Sequence, residues 1–246
     1  MFKKVYFVTP TYNAGDHLID LYESLKEQTN KNWEWYVYDD MSDDEKSLAI
    51  LNNIASKDKR VKVTARLNRH WALKNLITGL TKDFGTNFST KSENDAIIAV
   101  IDGDDAICNE NCVSLILDEY NKNEKLDALW TAHSWDINSM NISRELPGNI
   151  NPYQYPWVSS HLKTFKLSVL YKINLRNFKD LDGNWFKRGY DQALYLPILH
   201  LARERKFLDE ICYLYRINSN SIKNRESKEM NQMSTVKLVR SRGYVE

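Results

Sequence analysis

The stretch V-I-D-G-D-D-A-I, residues Val100 to Ile107, places three carboxylates directly after an apolar run. The run itself, Ala96 to Ile101, is typical of a buried strand. An Asp-Gly pair is a common turn, whereas carboxylates in D-x-D spacing suit a hard divalent cation such as Mg²⁺ or Mn²⁺. On these residues alone, a solvated turn and a cation site both remain open.

Strand and helix patterns alternate through the first half of the chain. Apolar and β-rich runs predict strands, and apolar residues at helical spacing predict helices. The predicted strands are 5–8, 33–38, 61–65, 96–101 and 128–135, and the predicted helices cover 15–28, 48–55 (capped by Ser42, with Glu45 completing a capping box), 71–80 and 113–120. This alternation indicates an α/β domain with a mostly parallel central sheet flanked by helices.

Ligands bind such sheets at the carboxyl ends of strands. Two of these ends carry acidic residues, Asp39-Asp40 after the second strand and Asp102 to Asp105 after the fourth. We therefore expect an active site at this edge of the sheet.

The second half is less regular. A long connection with three prolines, 136–158, precedes a helix predicted over 160–170 and a second over 190–205, within which Pro197 predicts a kink or a shifted boundary. A strand is predicted over 208–215, followed by a polar tail from Asn218.

Composition narrows the class of protein. The net charge of +1 argues against binding to nucleic acid. The cysteines, Cys108, Cys112 and Cys212, form neither a disulfide framework nor a zinc set, and we expect them to be reduced thiols. The start of the chain does not resemble a signal peptide, and no apolar run reaches membrane-spanning length. We expect a soluble, cytoplasmic protein, or one that works at the periphery of a membrane without a transmembrane segment.

Several common catalytic motifs are missing from the sequence. It contains no G-x-x-x-x-G-K-[ST] phosphate loop, no G-x-G-x-x-G after a strand and no G-x-S-x-G elbow. A P-loop kinase, a Rossmann dehydrogenase and an α/β-hydrolase are therefore disfavoured.

Three short motifs follow the first, second and fourth predicted strands: Val8-Thr-Pro-Thr-Tyr-Asn13, Tyr38-Asp-Asp-Met-Ser-Asp43 and Ile101-Asp-Gly-Asp-Asp105. In order and spacing they resemble the family 2 glycosyltransferases with a GT-A fold, and Gly189-Tyr-Asp191 extends the resemblance more thinly. The resemblance implies a single GT-A domain over 1–246, with an irregular acceptor side. Its nucleotide-sugar-binding half is 1–108, its acceptor-binding half is 109–217, and 218–246 is a polar C-terminal tail.

The resemblance also implies a reaction, in which a sugar passes with inversion from a nucleoside-diphosphate sugar to an acceptor hydroxyl, assisted by Mn²⁺ or Mg²⁺. Asp191 matches the catalytic base, and Asp102, Asp104 and Asp105 are the candidate metal ligands. The residues expected to bind the nucleotide sugar are Pro10, Tyr12, Asp39, Asp40, Arg69, Lys74, Asp102 and Gly103. A UDP-sugar is preferred, because Asp40 can accept a hydrogen bond from a uracil N–H.

The acceptor is expected to be a glycan or a lipid-linked molecule, with Trp157 and His161 as candidate contacts. The alternative for the stretch around His161, residues 159–165, is a helix capped by serine. The chain departs from the family pattern at His70, where glycine is frequent, at Lys74, where arginine is common, and at Asn218, where some relatives have a histidine.

Two other functions remain open at this point. A sugar nucleotidyltransferase would share the sheet and the metal carboxylates, but it needs a glycine-rich loop after the first strand, and Thr9 to Asn13 is not one. A nucleotide-sugar-binding module without transferase activity would not need Asp191.

Overall fold

The computed structural model describes residues 1–85, 95–217 and 225–246. Its strands are β1 (Val5–Thr11), β2 (Trp33–Asp39), β3 (Val61–Ala65), β4 (Ile97–Val100), β5 (Ala106–Ile107), β6 (Leu126–Trp135), β7 (Lys163–Lys166) and β8 (Glu204–Tyr215). Its α-helices are α1 (His17–Lys26), α2 (Glu45–Lys57), α3 (Trp71–Phe84), α4 (Cys112–Lys122), α5 (Leu167–Leu170), α6 (Tyr190–Leu201) and α7 (Arg225–Arg242). A short 3-10 helix covers Leu175–Phe178.

In the described ranges the strands form one sheet in the order β3-β2-β1-β4-β7-β6-β8-β5. The strands β1 to β4 are parallel, as the alternating pattern predicts. The strand β7 joins β4 in antiparallel orientation, and β6 and β8 then run parallel to each other. The predicted α/β architecture is confirmed, and the carboxyl ends of β1, β2 and β4 lie at one edge of the sheet.

Both faces of the sheet are covered by helices. Along β4 successive side chains enter opposite cores, with Ile97 and Ala99 on one face and Ile98 and Val100 on the other. A strand buried on both faces needs a continuous apolar run rather than an alternating one. The helices α1, α2 and α4 contribute to one core, and α3 and α6 to the other.

The long connection between β6 and β7 is fixed by arginines from later in the chain. Arg205 donates to the carbonyls of Pro147 and Ile150, and Arg240 of α7 donates to those of Tyr153 and Tyr155. Backbone carbonyls in a connection without regular structure need such partners. The C-terminal helix therefore helps to hold the second half of the molecule together.

Four local predictions are wrong. The first turn of α2 is capped by Asp44, whose carboxylate accepts from Ser47 N at 2.6 Å, while Ser42 bonds to Asp39 instead. The predicted helix 160–170 is the strand β7 followed by α5, because a run this short shows no reliable period. The helix predicted to reach residue 205 ends at Leu201, and the strand predicted to begin at residue 208 already begins at Glu204 as β8.

Residues 86–94, between α3 and β4, and the start of the predicted tail, 218–224, lie outside the described residues. From Arg225 the tail forms α7, which packs against α6. Among the helices the structure describes, none combines the length and apolar character of a membrane span.

Candidate active site

A cleft of about 1080 Å³ opens at the carboxyl ends of β1, β2 and β4. Its walls come from the ends of these strands, the start of α3 and the segment before α6. Eight of the predicted site residues line it: Pro10, Tyr12, Asp40, Arg69, Asp102, Gly103, Asp104 and Asp191. Residues separated by up to 181 positions in sequence thus meet in one site. This edge of the sheet is where a parallel α/β architecture is expected to bind its ligand.

The acidic turn after β4 divides its three carboxylates between the cleft and the interior. Asp102 and Asp104 line the cleft. Asp105 is 1% exposed, and its oxygens accept from the Tyr213 hydroxyl at 2.6 Å and from Arg216 N at 2.8 Å. Burial, followed by the Asp102 charge, raises the pKa of Asp105 to about 9. Asp105 therefore closes the turn from the inside and does not line the cleft.

Gly103 makes the close packing of this turn possible. A Cβ at this position would overlap the Thr11 side chain at the end of β1. The acidic turn can consequently lie directly against the neighbouring strand end. The Asp-Gly pair has a packing role here in addition to its turn-forming one.

Asp102, the first carboxylate of the acidic turn, is held by two tyrosine hydroxyls. Its carboxylate accepts a hydrogen bond from the Tyr190 hydroxyl, and its backbone N–H donates to the Tyr213 hydroxyl at 3.1 Å. Burial, together with the negative charge of Asp191, raises the pKa of Asp102 to about 7, although Lys163 opposes this shift. The carboxyl therefore lies where a neighbouring cation would stabilise its ionised form.

Asp191 occupies the first turn of α6, directly after Gly189 and Tyr190. Gly189 has φ +65°, and Thr235 of α7 lies 3.3 Å from where its Cβ would be. Asp191 is partly open to the cleft, with a side chain that is 30% exposed, and its Oδ1 accepts from Lys163 Nζ at 2.7 Å. The carboxylate of the predicted base thus faces the same space as the acidic turn.

His161 is buried, with 6% exposure, and does not line the cleft. Its ring stacks on Tyr213 with centroids 4.5 Å apart and also packs against Tyr215. Burial, followed by the nearby Lys163 charge, holds the pKa of His161 well below its usual value. His161 is therefore neutral and enclosed, and the alternative of a capped helix here is wrong because β7 follows it.

The nucleotide side of the cleft is organised by Asp40, which is 3% exposed. Its carboxylate accepts from His70 N at 2.6 Å and Trp71 N at 2.8 Å, and it forms an ion pair with Arg69. The guanidinium of Arg69 lies 3.5 Å from the ring centroid of Tyr12. Asp40 thereby ties the end of β2 to the start of α3, and Tyr12 presents a ring whose one face is already covered.

The other predicted positions lie away from the cleft lining. Asp39 is fully buried and bonds to the N–H and hydroxyl of Ser42, so it shapes the turn after β2. Lys74 lies one turn into α3, and Trp157 packs against the core beside α6. The structure therefore does not bring Asp39, Lys74 or Trp157 to the cleft, and their predicted roles in binding stay predictions.

The cations Lys187 and Arg188, which line the cleft close to the Trp71 ring, were not predicted from the sequence. Lys187 and Arg188 precede α6, and their charged ends lie 5.9 Å and 5.1 Å from the ring centroid of Trp71. Trp71 itself starts α3 with φ +62°, which is a strained value for a non-glycine residue. Burial, followed by repulsion from Arg69, holds the pKa of Arg188 below its ordinary value. This side of the cleft is consequently rich in positive charge and suits an anionic ligand.

The acidic side of the cleft fits a hard divalent cation. Among the described residues, Asp102, His161 and Asp191 each offer a ligand atom within 4.8 Å of the others. The ammonium of Lys163 already contacts His161 and Asp191, whereas Asp102 and Asp104 are the carboxylates of the acidic turn that line the cleft. Mg²⁺ and Mn²⁺ are often held in this way, by one or two carboxylates with the remaining positions open to phosphate oxygens.

Comparisons with known proteins agree with this geometry. The family model described as "Glycosyl transferase family 2" matches residues 6–180. The glycosyltransferase GlyG of Streptococcus pneumoniae serotype 4 is 26% identical over an alignment of 231 positions, which covers 87% of this chain and 71% of that protein.

Solved structures share the fold. TarS 1-349 of S. aureus superposes with a TM-score of 0.63 at 19% identity, over 87% of this chain and 60% of that one. The same TarS segment in complex with UDP-GlcNAc has a TM-score of 0.62 at 17% identity, with coverages of 88% and 59%. The mannosyltransferase PcManGT from Pyrobaculum calidifontis, in complex with GDP-Man and Mn²⁺, has a TM-score of 0.59 at 13% identity, with coverages of 94% and 63%. The chain thus spans less than two thirds of these solved chains, and the predicted GT-A-type fold is confirmed.

Proposed function

The chain belongs to glycosyl transferase family 2, and on that premise we propose that it transfers a sugar, with inversion, from a nucleoside-diphosphate sugar to a hydroxyl of a glycan or lipid-linked acceptor. The observation that carries the proposal is the meeting of Asp191 and the acidic turn in one cleft. A carboxylate base and a site for the leaving diphosphate are the two parts that a single inverting displacement requires.

The proposed base is Asp191. One of its oxygens is held by Lys163, and the partly exposed carboxylate faces the cleft, so it can accept the proton of an acceptor hydroxyl there. The hydroxyl oxygen forms a bond to the anomeric carbon while the bond from that carbon to the diphosphate oxygen breaks. A base must lie within hydrogen-bond reach of the proton that it removes. Transfer through one such step inverts the anomeric configuration.

The proposed site for Mn²⁺ or Mg²⁺ is formed by Asp102 and Asp104. A bound divalent ion would supply Lewis-acid stabilisation of the leaving diphosphate. The chain's own contribution is to hold Asp102 through the Tyr190 and Tyr213 hydroxyls. The cations Arg69, Lys187 and Arg188, which also line the cleft, would attract the same diphosphate.

A UDP-sugar is the proposed donor. An ionised carboxylate has about four acceptor positions, and three N–H groups already bond to Asp40. The remaining position can accept the N–H of a uracil ring. The second face of the Tyr12 ring is the surface on which that base would pack.

The proposal is tested by incubating the protein with Mn²⁺ and a panel of UDP-, GDP- and dTDP-sugars. We expect slow hydrolysis of one UDP-sugar and an increase in Tm with UDP and Mn²⁺. If no donor is hydrolysed and no nucleoside diphosphate raises Tm, the proposed function is wrong. Hydrolysis of a GDP-sugar alone would retain the transferase but overturn the role of Asp40 in choosing uracil.

Stabilisation by the metal is expected to increase with pH. The folded-state pKa of Asp102, about 7, lies above its unfolded value of about 4. The metal-free protein therefore loses stability from this group as pH rises from about 4 to about 7, with no further loss above. Mn²⁺ must displace the proton that Asp102 holds below pH 7, so its binding with UDP strengthens over that range. The increase in Tm on adding Mn²⁺ and UDP should be larger at pH 8 than at pH 6, and equal increases would contradict metal binding by Asp102.

Removing the Arg188 guanidinium is expected to weaken donor binding more than turnover. Arg188→Ala should raise KM for the donor about tenfold, the scale of one hydrogen bond to a charged group. Arg60→Ala is the matched control, because Arg60 also lies over a tryptophan ring, that of Trp33, but outside the cleft lining. Steady-state kinetics distinguish the outcomes, and an unchanged KM in Arg188→Ala would remove this residue from the donor site.

A further inference from the structure

The side chain of Lys163 is almost completely buried and faces the site from inside the sheet. It is 1% exposed, and its Nζ lies 2.7 Å from Asp191 Oδ1 and 3.1 Å from His161 Nδ1. Lys163 begins β7, the strand between β4 and β6. The ammonium therefore reaches Asp191 from beneath, while Asp191 itself opens to the cleft.

A buried ammonium needs a reason, because removing it from water is costly unless partners compensate. Replacing a buried ion pair by apolar side chains is often neutral or stabilising, so such a pair is weak evidence for a role in stability. The positions that follow Lys163 on β7 include Phe165, which packs in the apolar core. The lysine thus stands where the strand could hold a hydrocarbon side chain.

Both partners of the ammonium are fixed in different ways. His161 is clamped by ring stacking on Tyr213, so its Nδ1 is a rigid acceptor on the inner side. Asp191 is the outer partner, and it lies in the first turn of α6, directly after the left-handed cap residue Gly189 and Tyr190. Because His161 is held rigidly on the inner side, Nζ has a defined position, and Nζ in turn gives the Asp191 oxygen that it binds a defined position.

Without the Lys163 charge, the carboxylates of Asp191 and Asp102 would repel each other. The negative charge of Asp191 acts on Asp102 strongly enough to be the largest effect on that carboxyl after burial, and the Lys163 charge acts in the opposite direction. Two carboxylates at one site repel each other, which raises the pKa of one of them, and a nearby cation opposes this repulsion. Among the residues that the structure describes, Lys163 forms an ion pair with Asp191, and its charge also acts on Asp102.

We propose that Lys163 is a positioning residue for the catalytic base: it binds Asp191 Oδ1 and so directs Oδ2 towards the acceptor hydroxyl. The inference rests on the proposed function, since it gives Lys163 a role only in the transfer reaction. Lys163 does not contact the substrate in this role and acts through Asp191 alone.

A second buried lysine on the same strand provides a matched control. Lys166, at the other end of β7, is 5% exposed at its side chain and pairs with Asp127 at 3.3 Å. Asp127 also binds Arg203, and this group is not part of the cleft lining. Removing the Lys166 charge thus perturbs the same strand in a similar way without touching Asp191.

The test is a double-mutant cycle with Lys163→Met, Asp191→Asn and the double variant, alongside Lys166→Met. We expect Lys163→Met to lower kcat about 100-fold, within the range by which a misplaced base slows a reaction. The donor KM and the affinity for UDP with Mn²⁺ should change by less than about threefold. In the Asp191→Asn background, Lys163→Met should produce no further loss, because a residue that acts through Asp191 has nothing left to position.

Lys166→Met should lower Tm and leave kcat unchanged. If Lys163→Met does not fold, Lys163→Gln, which keeps a neutral donor, replaces it in the same cycle with the same expectation. An equal loss from Lys163→Met in the wild-type and Asp191→Asn backgrounds would overturn the positioning role. This failure is distinct from that of the proposed function, in which the unsubstituted protein would neither hydrolyse donors nor bind a nucleoside diphosphate.

Discussion

Replacing the carboxylate of Asp191 by an amide, Asp191→Asn, is expected to lower kcat for sugar transfer about 1000-fold, the middle of the range for general base catalysis. An amide of the same shape cannot take the proton of the acceptor hydroxyl. The nucleotide end of the cleft, at Asp40 and Tyr12, follows β2 and β1 rather than lying on α6, so we expect it to be unchanged. The affinity for UDP with Mn²⁺, measured by calorimetry, should therefore remain within a few-fold of the unsubstituted protein.

Asp182→Asn is the control for this substitution. Asp182 is an exposed carboxylate in the segment that leads to α6, so it reports on the general effect of removing a charge nearby. Asp191→Asn also leaves Lys163 without its charge partner, and Tm is measured to separate misfolding from lost chemistry. Full turnover in a folded Asp191→Asn protein would remove the base assignment.

Asp102→Asn is expected to abolish most of the metal-dependent activity. Metal ions contribute several kcal/mol to the stabilisation of a leaving diphosphate, so the loss of a ligand should lower kcat/KM at least about 100-fold. The dependence of UDP binding on Mn²⁺ should disappear with it. Titration of Mn²⁺ in the presence of UDP measures both effects.

Asp105→Asn is the informative comparison, because it changes the third carboxylate of the same turn. Its carboxyl is bonded to the Tyr213 hydroxyl and to Arg216 N, and it is not part of the cleft lining. Because this side chain bonds inside the protein and does not face the cleft, we expect little change in the affinity for Mn²⁺. A variant Asp105→Asn that loses Mn²⁺ while Asp102→Asn retains it would reverse the assignment.

Much of the site follows from rules that act along the chain. Parallel strands place their carboxyl ends together, so the sequence alone predicts that Asp40, Asp102 and Asp104 meet at one edge of the sheet. The resemblance at Gly189-Tyr-Asp191 added the fourth carboxylate. These predictions depend on strand order and motif spacing, which the sequence carries directly.

Other features depend on the packing of distant segments. Neighbours in sequence can point in opposite directions, and Asp39 turns inwards to Ser42 while Asp40 turns to α3. Lys187 and Arg188 precede α6 without any motif, and only their proximity to Trp71 shows that they belong to the cleft. A search for cations shortly before the predicted base could have found them. Lys163 had no such signal, because the predicted helix over its segment concealed that it begins a central strand.

The bonds that close the acidic turn have a consequence for how the protein is made. Tyr213 and Arg216 N, which hold Asp105, lie 108 and 111 positions further along the chain. Contacts of such long sequence separation form late. Because a chain is synthesised from its N-terminus, the residues of the turn are made long before those of β8. A nascent chain that stops before β8 therefore has its three aspartates but lacks the bonds that separate their roles. Enzyme activity should accordingly appear only once β8 has joined the sheet, and it can serve as a reporter of complete folding.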